Sequence, residues 1–261
     1  MTQYAALSSE RHGQKRWQRY VSYAFAKGQA VAPLGVSELS IAIMSLPIAF
    51  VRENEAYVPV AVLGLEPGKN LYVALNGRWV GQYVPASLRG YPFALVRSGE
   101  QMVMCVDEES GLVIDGPSGE LMFDEQGQPT AAIRGVLDFL NKVEQDRLRT
   151  AAICAVLEKS GCIRPWEITH KFDASNERKI EGLYQVDESA LNALSDEAFL
   201  ELRQSGALLL AYGQLLSMQH LQALGQLADA HAKAAAPLPI KGDELDLSFL
   251  ADGDTLSFSG M

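Results

Sequence analysis

The sequence predicts an α+β fold: a curved, mainly antiparallel β-sheet, partly barrel-like, built from the N-terminal half and covered by C-terminal helices. Three observations predict it. Short strand-like runs punctuated by Gly, Pro and Asn fill residues 21–125. After Pro129-Thr130 the apolar period changes to three and four. Strand and helix signals are segregated along the chain instead of alternating, which argues against βαβ units and a parallel sheet. Residues 1–20 then form an N-terminal arm and residues 21–231 one α+β domain, strand-rich over 21–125 and helix-rich over 129–231. Residues 232–261 form a linker and C-terminal tail.

The arm carries Arg11, His12, Lys15, Arg16 and Arg19 in an otherwise acidic chain. A solvated arm is the expectation, because chain ends are usually untethered. Docking on the chain's own acidic surface or on an acidic partner are the alternatives. Tyr23-Ala24-Phe25-Ala26 reads as a short strand. Val31 to Leu34 follows as an edge strand or strand start, because Pro33 has no N–H to give to a ladder. Ser37 is placed to cap a short helix over Glu38 to Met44, stopped by Pro47.

Ile48–Val51 and Tyr57–Leu65 read as a hairpin joined by Arg52 to Glu55, with Pro59 calling for an edge or a bulge. Glu66-Pro67-Gly68 is a turn. Leu71–Leu75 and Arg78–Tyr83 read as a second hairpin around Asn76-Gly77, with Tyr72, Trp79 and Tyr83 as its packing groups. Pro85–Gly90 is a loop or helical turn. Tyr91–Val96 and Gln101–Val106 form a strand pair about Ser98-Gly99, and Leu112–Ile114 and Leu121–Phe123 are short strands between polar turns.

In the C-terminal half, Ile133, Val136, Leu137, Leu140 and Val143 form an amphipathic stripe. It continues to a stop at Gly161, a length that leaves room for a break near Asp146-Arg147. Cys162–Phe172 reads as loop and strand and Lys179–Val186 as a second strand, turned by Asp173 to Asn176, and the Ile168–Val186 hairpin is expected to rejoin the sheet. Asp187–Leu191 starts a short helix, Ser195 caps the next, and Ala207–Ala230 is a strongly apolar helix. Ala232–Lys241 is an Ala/Pro linker. The tail alternates apolar and polar residues through Leu245, Leu247, Phe249, Leu256 and Phe258, the pattern of a small hairpin. A lone hairpin is marginal in water, so Asp243–Met261 is expected to dock in cis or on another subunit, making a homo-oligomer through the tail one outcome.

With 48% hydrophobic and 21% charged residues the composition is globular. The net charge of −10 argues against nucleic acid as the main partner and weakly against anionic membranes. No apolar run reaches the length of a membrane span. The polar N-terminus lacks a secretory signal. Cytoplasmic synthesis without Sec export is therefore expected, with signal-less export through the C-terminus left open. Cys105, Cys154 and Cys162 have no framework spacing and read as reduced, buried thiols.

Chemistry-bearing motifs are sparse. His12, His170, His220 and His231 are scattered, and His170 with Asp173 is the one close His/carboxylate pair. No HExxH, GxGxxG, P-loop or GxSxG is present. Asp107-Glu108-Glu109 and Asp252-Gly253-Asp254 lack the ligand ladder of an EF-hand and read as turns. The sequence therefore indicates no catalytic residues, no metal ligands and no cofactor. The candidate ligand-binding residues are Arg78, Trp79, Tyr83 and Arg89, where aromatic rings beside arginines suit a carboxylate or peptide; packing of the same rings in the core is the competing reading.

Several blocks carry a resemblance. They are YAFAK (Tyr23–Lys27), LPIAFV (Leu46–Val51), PVAVLGLEPGKNLYV (Pro59–Val73), GRWVGQYVPASLRGYPF (Gly77–Phe93), LMFDEQGQPT (Leu121–Thr130) and EGLYQVDESALNALSDEAFLELRQSGAL (Glu181–Leu208). With them the chain, to about Leu227, resembles the SapC family of bacterial proteins. The resemblance supplies no catalytic residues. It implies a non-enzymatic accessory or protein-interaction role in a surface-layer or nutrient-uptake system. The partners it implies are an envelope receptor, a halogenase-like protein or a cupin-like oxygenase. The alternative is a small-ligand or peptide binder, or an enzyme, with its site in the N-terminal sheet.

Overall fold

A computed structural model describes residues 4–173 and 176–235. In chain order its first elements are β1 (Tyr4–Ala6), α1 (Ser9–His12), β2 (Arg16–Trp17), β3 (Val31–Pro33), α2 (Leu39–Ala42), β4 (Ile48–Glu53) and β5 (Ala56–Val62). Then come α3 (Ala86–Arg89), β6 (Phe93–Ser98), β7 (Gln101–Asp107), β8 (Val113–Ile114), β9 (Glu120–Leu121) and α4 (Ala131–Lys159). The rest are β10 (Ile163–Pro165), β11 (Ile168–Asp173), β12 (Asn176–Ile180), β13 (Tyr184–Val186), α5 (Glu188–Asn192), α6 (Asp196–Ser205), α7 (Ala207–Ser217) and α8 (Leu221–Ala235). The fold is α+β with antiparallel pairing, as the segregated signals predict. The described strands divide among four sheets, ordered β1-β7-β6, β10-β13-β4-β5-β3, β11-β12 and β8-β2-β9, and close no barrel.

The central hairpin of β4 and β5 pairs Ile48 with Ala61 through Glu53 with Ala56. Its loop is the two residues Asn54 and Glu55, both at positive φ, rather than four. Pro59 sits inside β5, opposite Phe50. Its carbonyl accepts from Leu34 N at 2.9 Å, so its missing N–H faces the side where β3 ends at Pro33 and the β4 ladder loses nothing. β3 lies on the sheet edge, as Pro33 requires.

The solvated arm is corrected. β1 pairs with β7, and β2 is the middle strand between β8 and β9. Trp17 is only 4% exposed and meets Phe93 edge-on at 5.0 Å between centroids. The basic cluster finds the chain's own acidic loops: Arg11 and His12 bond Glu108, Lys15 bonds Asp115, and Arg19 lies 3.5 Å from Glu120. Opposite charge and an apolar anchor together tether a segment that hydrophilicity alone marks as free.

Other elements differ in detail. Ala24–Ala26 is a 3₁₀ turn, and the rings of Tyr23 and Phe25 join Tyr20 and Tyr91 in an aromatic cluster. Ser37 lies within a 3₁₀ turn, Val36–Glu38, that runs into α2, so it does not cap that helix. Around Asn76-Gly77 the chain turns back but makes a single bridge, Val73 to Trp79, instead of a hairpin. Buried Asn70 accounts for this: its side chain accepts from Tyr72 N and donates to Ala26 O, competing with a ladder. α4 runs unbroken for 29 residues from its Thr130 cap, and the chain leaves it at Gly161 (φ 71°). β13 joins the five-stranded sheet while β11 and β12 pair only with each other. A 3₁₀ turn at Met218–His220 separates α7 from α8, and α8 continues through Ala232–Ala235, the start of the expected linker. The tail hairpin and Asp252-Gly253-Asp254 lie outside the described residues.

Two cores result. The larger buries Phe50, Leu63, Leu157, Leu202 and Leu210 between the five-stranded sheet and the C-terminal helices. The smaller gathers Trp17, Phe93, Val106, Met122, Phe123 and Ile133. α4 contributes Ile133 to one and Ile153, Cys154 and Leu157 to the other. Between Ile133 and Thr150 none of its side chains is fully buried; Val136 and Leu140 pack half-buried against the smaller core, and beside them the helix borders open space.

Candidate functional site

That open space is a groove beneath the middle of α4, and Arg89 stands in it. α3 is a four-residue turn whose last residue is Arg89. Its guanidinium lies 5.4 Å from the ring centroid of Tyr83 and 5.8 Å from that of Phe139 on α4. Arg89 Nη2 donates to the Tyr83 hydroxyl at 2.8 Å, and that hydroxyl donates to Glu38 Oε2 at 2.5 Å. Burial, and next the bond to Glu38, hold the Tyr83 hydroxyl protonated well above the ordinary phenol range.

Glu38 is 7% exposed, and its carboxylate is satisfied internally. Oε1 accepts from Gly35 N at 2.9 Å, Oε2 accepts from Ala86 N at 2.8 Å, and Arg89 Nη2 stands 3.9 Å away. The carboxylate thus joins the turn before α2, the start of α3 and the phenol that orients Arg89. α4 fastens the same turn from the other side. Asp146 accepts from Ser37 N and from Ser37 Oγ (2.6 Å), and Thr150 Oγ1 accepts from Val36 N at 2.8 Å. A side chain at Gly35 would fall on the Asp146 carboxylate, which explains glycine there.

Arg89 and Phe139 divide the groove into two chambers. One, about 610 Å³, is walled by Trp17, Tyr20, Tyr91 and Phe93 on one side and by Ala131, Gly135 and Val136 of α4 on the other, with Arg19 at its margin. The second, about 500 Å³, lies between Pro33, Ile41, Tyr57 and Pro59 and the next turns of α4, Val143 to Thr150. Both are in the range of small-molecule sites. With Glu38 and Tyr83 spent on internal bonds, Arg89 is the group between the chambers with hydrogen-bond donors to spare. The arrangement suits holding an anion more than moving a proton.

Of the sequence-predicted residues, Tyr83 and Arg89 are brought together here. Trp79 is not: its ring stacks on Tyr72 at 5.5 Å and its Nε1 donates to Tyr83 O, so it supports the site from the core. Arg78 is exposed and lines neither chamber. Glu38, Trp17, Arg19 and Phe139 are the residues that the sequence reading misses. They come from segments far apart in the chain; the signal available for Phe139 is its place on the apolar stripe of α4.

Other candidates resolve into structure. Asp107 accepts from Tyr91 Oη and Glu109 N, and Glu108 is taken by Arg11 and His12. His220 and His231 bond the carbonyls of Ile43 and Leu71. The His170–Asp173 pair lies outside the residues whose side chains are described. Among the described residues no His, Cys, Asp and Glu cluster suits a metal ion, and no helix is long and apolar enough to cross a membrane. Cys105, Cys154 and Cys162 are free and buried, and burial pushes the Cys154 thiol up to about 12.

A family model described as SapC matches residues 7–224, most of the chain. No curated protein and no solved structure matches it.

Proposed function

The chain belongs to the SapC family, and from that premise we propose that it is a non-enzymatic accessory protein of a bacterial surface-layer or nutrient-uptake system that holds a small ligand in the groove beneath α4. The observation that carries the ligand half is Arg89, oriented by Tyr83 and Glu38 and standing between two chambers of about 610 and 500 Å³. A buried carboxylate held by two backbone amides and a phenol is a rigid mount for a cation, and preorganisation of this kind lowers the cost of binding. The partners in this reading are an envelope receptor, a halogenase-like protein or a cupin-like oxygenase; the support is the family resemblance.

Two measurements test the halves. A thermal-shift panel of carboxylates, peptides and divalent cations is run on the wild type and Arg89→Ala. A ligand at one hundred times its Kd raises stability by about 2.7 kcal/mol, and the shift is expected to be lost in the variant. No response to any class overturns the ligand half. Capture from the native host at native levels is expected to recover one of the three partner types, and recovery of none counts against the accessory half.

A further inference from the structure

The chamber on the Trp17 side of Arg89 carries a more specific assignment, which rests on reading the groove as a ligand site. Its polar inventory is one-sided. Arg89 spends one N–H on Tyr83 and stands 3.9 Å from Glu38, and Arg19 stands 3.5 Å from Glu120. The guanidiniums lie over the rings of Phe139 and Trp17 respectively, each 5.8 Å from the centroid. A guanidinium over a ring face keeps in-plane N–H edges for a partner. No carboxylate is among the described residues lining this chamber, in a chain of net charge −10. The indole N–H of Trp17 is itself buried and has no acceptor among the described residues. The charged side chains on the walls of this chamber are thus both cations, as a site for an anion requires.

The rest of the wall is flat and apolar, and α4 leaves room beside it. Gly135 lies in the second turn of the helix, and a Cβ there would meet nothing within 4 Å. Neither close packing nor a positive φ asks for glycine at this position, although glycine inside a helix is less favourable than alanine. The missing side chain enlarges the chamber opposite the aromatic wall.

We infer that this chamber binds a planar aromatic carboxylate, its ring laid between the Tyr20 and Tyr91 wall and Gly135 and its carboxylate on the guanidinium edges of Arg89 and Arg19. A planar carboxylate accepts two parallel N–H bonds from a guanidinium.

The test uses the full chain with 2-naphthoate and its neutral isostere 2-naphthamide, by calorimetry and thermal shift. Naphthoate is expected to bind at least tenfold more tightly than the amide, and Arg89→Met to erase that preference. Gly135→Leu is expected to abolish naphthoate binding while melting no lower than the wild type, because leucine enters open space and favours the helix. Val143→Trp, which fills the other chamber, is expected to leave naphthoate binding unchanged. Equal affinity for acid and amide overturns the assignment, as does binding that survives Gly135→Leu. Loss in Val143→Trp instead of Gly135→Leu moves the site to the other chamber, overturning the assignment but not the ligand reading. Failure of both naphthyl compounds, with another panel compound binding, has the same consequence; no binding of any compound overturns both.

Discussion

Gln214 shows how much one side chain on α7 settles. β13 pairs with β4 only at Tyr184 and Phe50. Two residues on, the same register would pair Val186 with Ile48, but no ladder pair forms there. Gln214 fills the gap: its Oε1 accepts from Val186 N at 2.9 Å and its Nε2 donates to Ile48 O at 3.2 Å, with Ser217 Oγ accepting from Ile48 N. Gln214 and Ser217 are fully buried, so no water can replace them. Gln214→Leu keeps the bulk and leaves two buried backbone groups unmet, at about 1–3 kcal/mol each. Urea unfolding is expected to show a loss of about 3 kcal/mol with an unchanged m-value; a loss under about 1 kcal/mol would mean the strands close the gap themselves. Such roles are hidden from a sequence reading, because a glutamine in an apolar helix carries no mark of its distant partners. Tyr83 and Arg89 were legible, being six residues apart among other aromatic and basic groups. Glu38 was not, since its partners arise from chain folding across 45 residues.

At the level of elements, the β4–β5 and β6–β7 pairs and the Ser195 cap were legible, because they follow from local chemistry that needs no tertiary information, whereas the Asn76-Gly77 hairpin and the Ser37 cap gave way to tertiary contacts. The N-terminal arm was illegible because its order comes from complementarity to loops about a hundred residues away. That complementarity makes its docking depend on pH. The hydrogen bond from Arg11 holds Glu108 below its ordinary value of 4.5. A depressed carboxylate contributes stability that is present above 4.5 and is lost as the pH falls through the lowered folded value. Acidification is therefore expected to reduce hydrogen-exchange protection of the Tyr4–Leu7 amides before that of β4 and β5. Glu108→Gln should show the low protection already at neutral pH. If the variant matches the wild type at every pH, backbone pairing and Trp17 hold the arm without the ion pair.

On the scale of the molecule, the two cores share one rigid part, α4, whose N-terminal end packs in the smaller core and whose C-terminal end packs in the larger. Between them the helix is supported by the groove walls and by the Asp146 and Thr150 bonds to residues 36 and 37. A groove placed at such a seam gains room, because neither core has to fill it. The cost is that coupling between the cores runs largely through an intact helix. Gln145 is exposed in that stretch and has no role in either core. Gln145→Gly should cost about 1 kcal/mol and leave both cores melting together. Gln145→Pro removes a helical hydrogen bond and kinks the helix at a cost of about 3 kcal/mol or more. It is expected to uncouple the cores, so that amides of β6 and β7 exchange at lower denaturant than those of β4 and β5. If the two sets still lose protection together, the interface between the cores, and not α4, carries the cooperativity, and the groove is no hinge between independently stable halves.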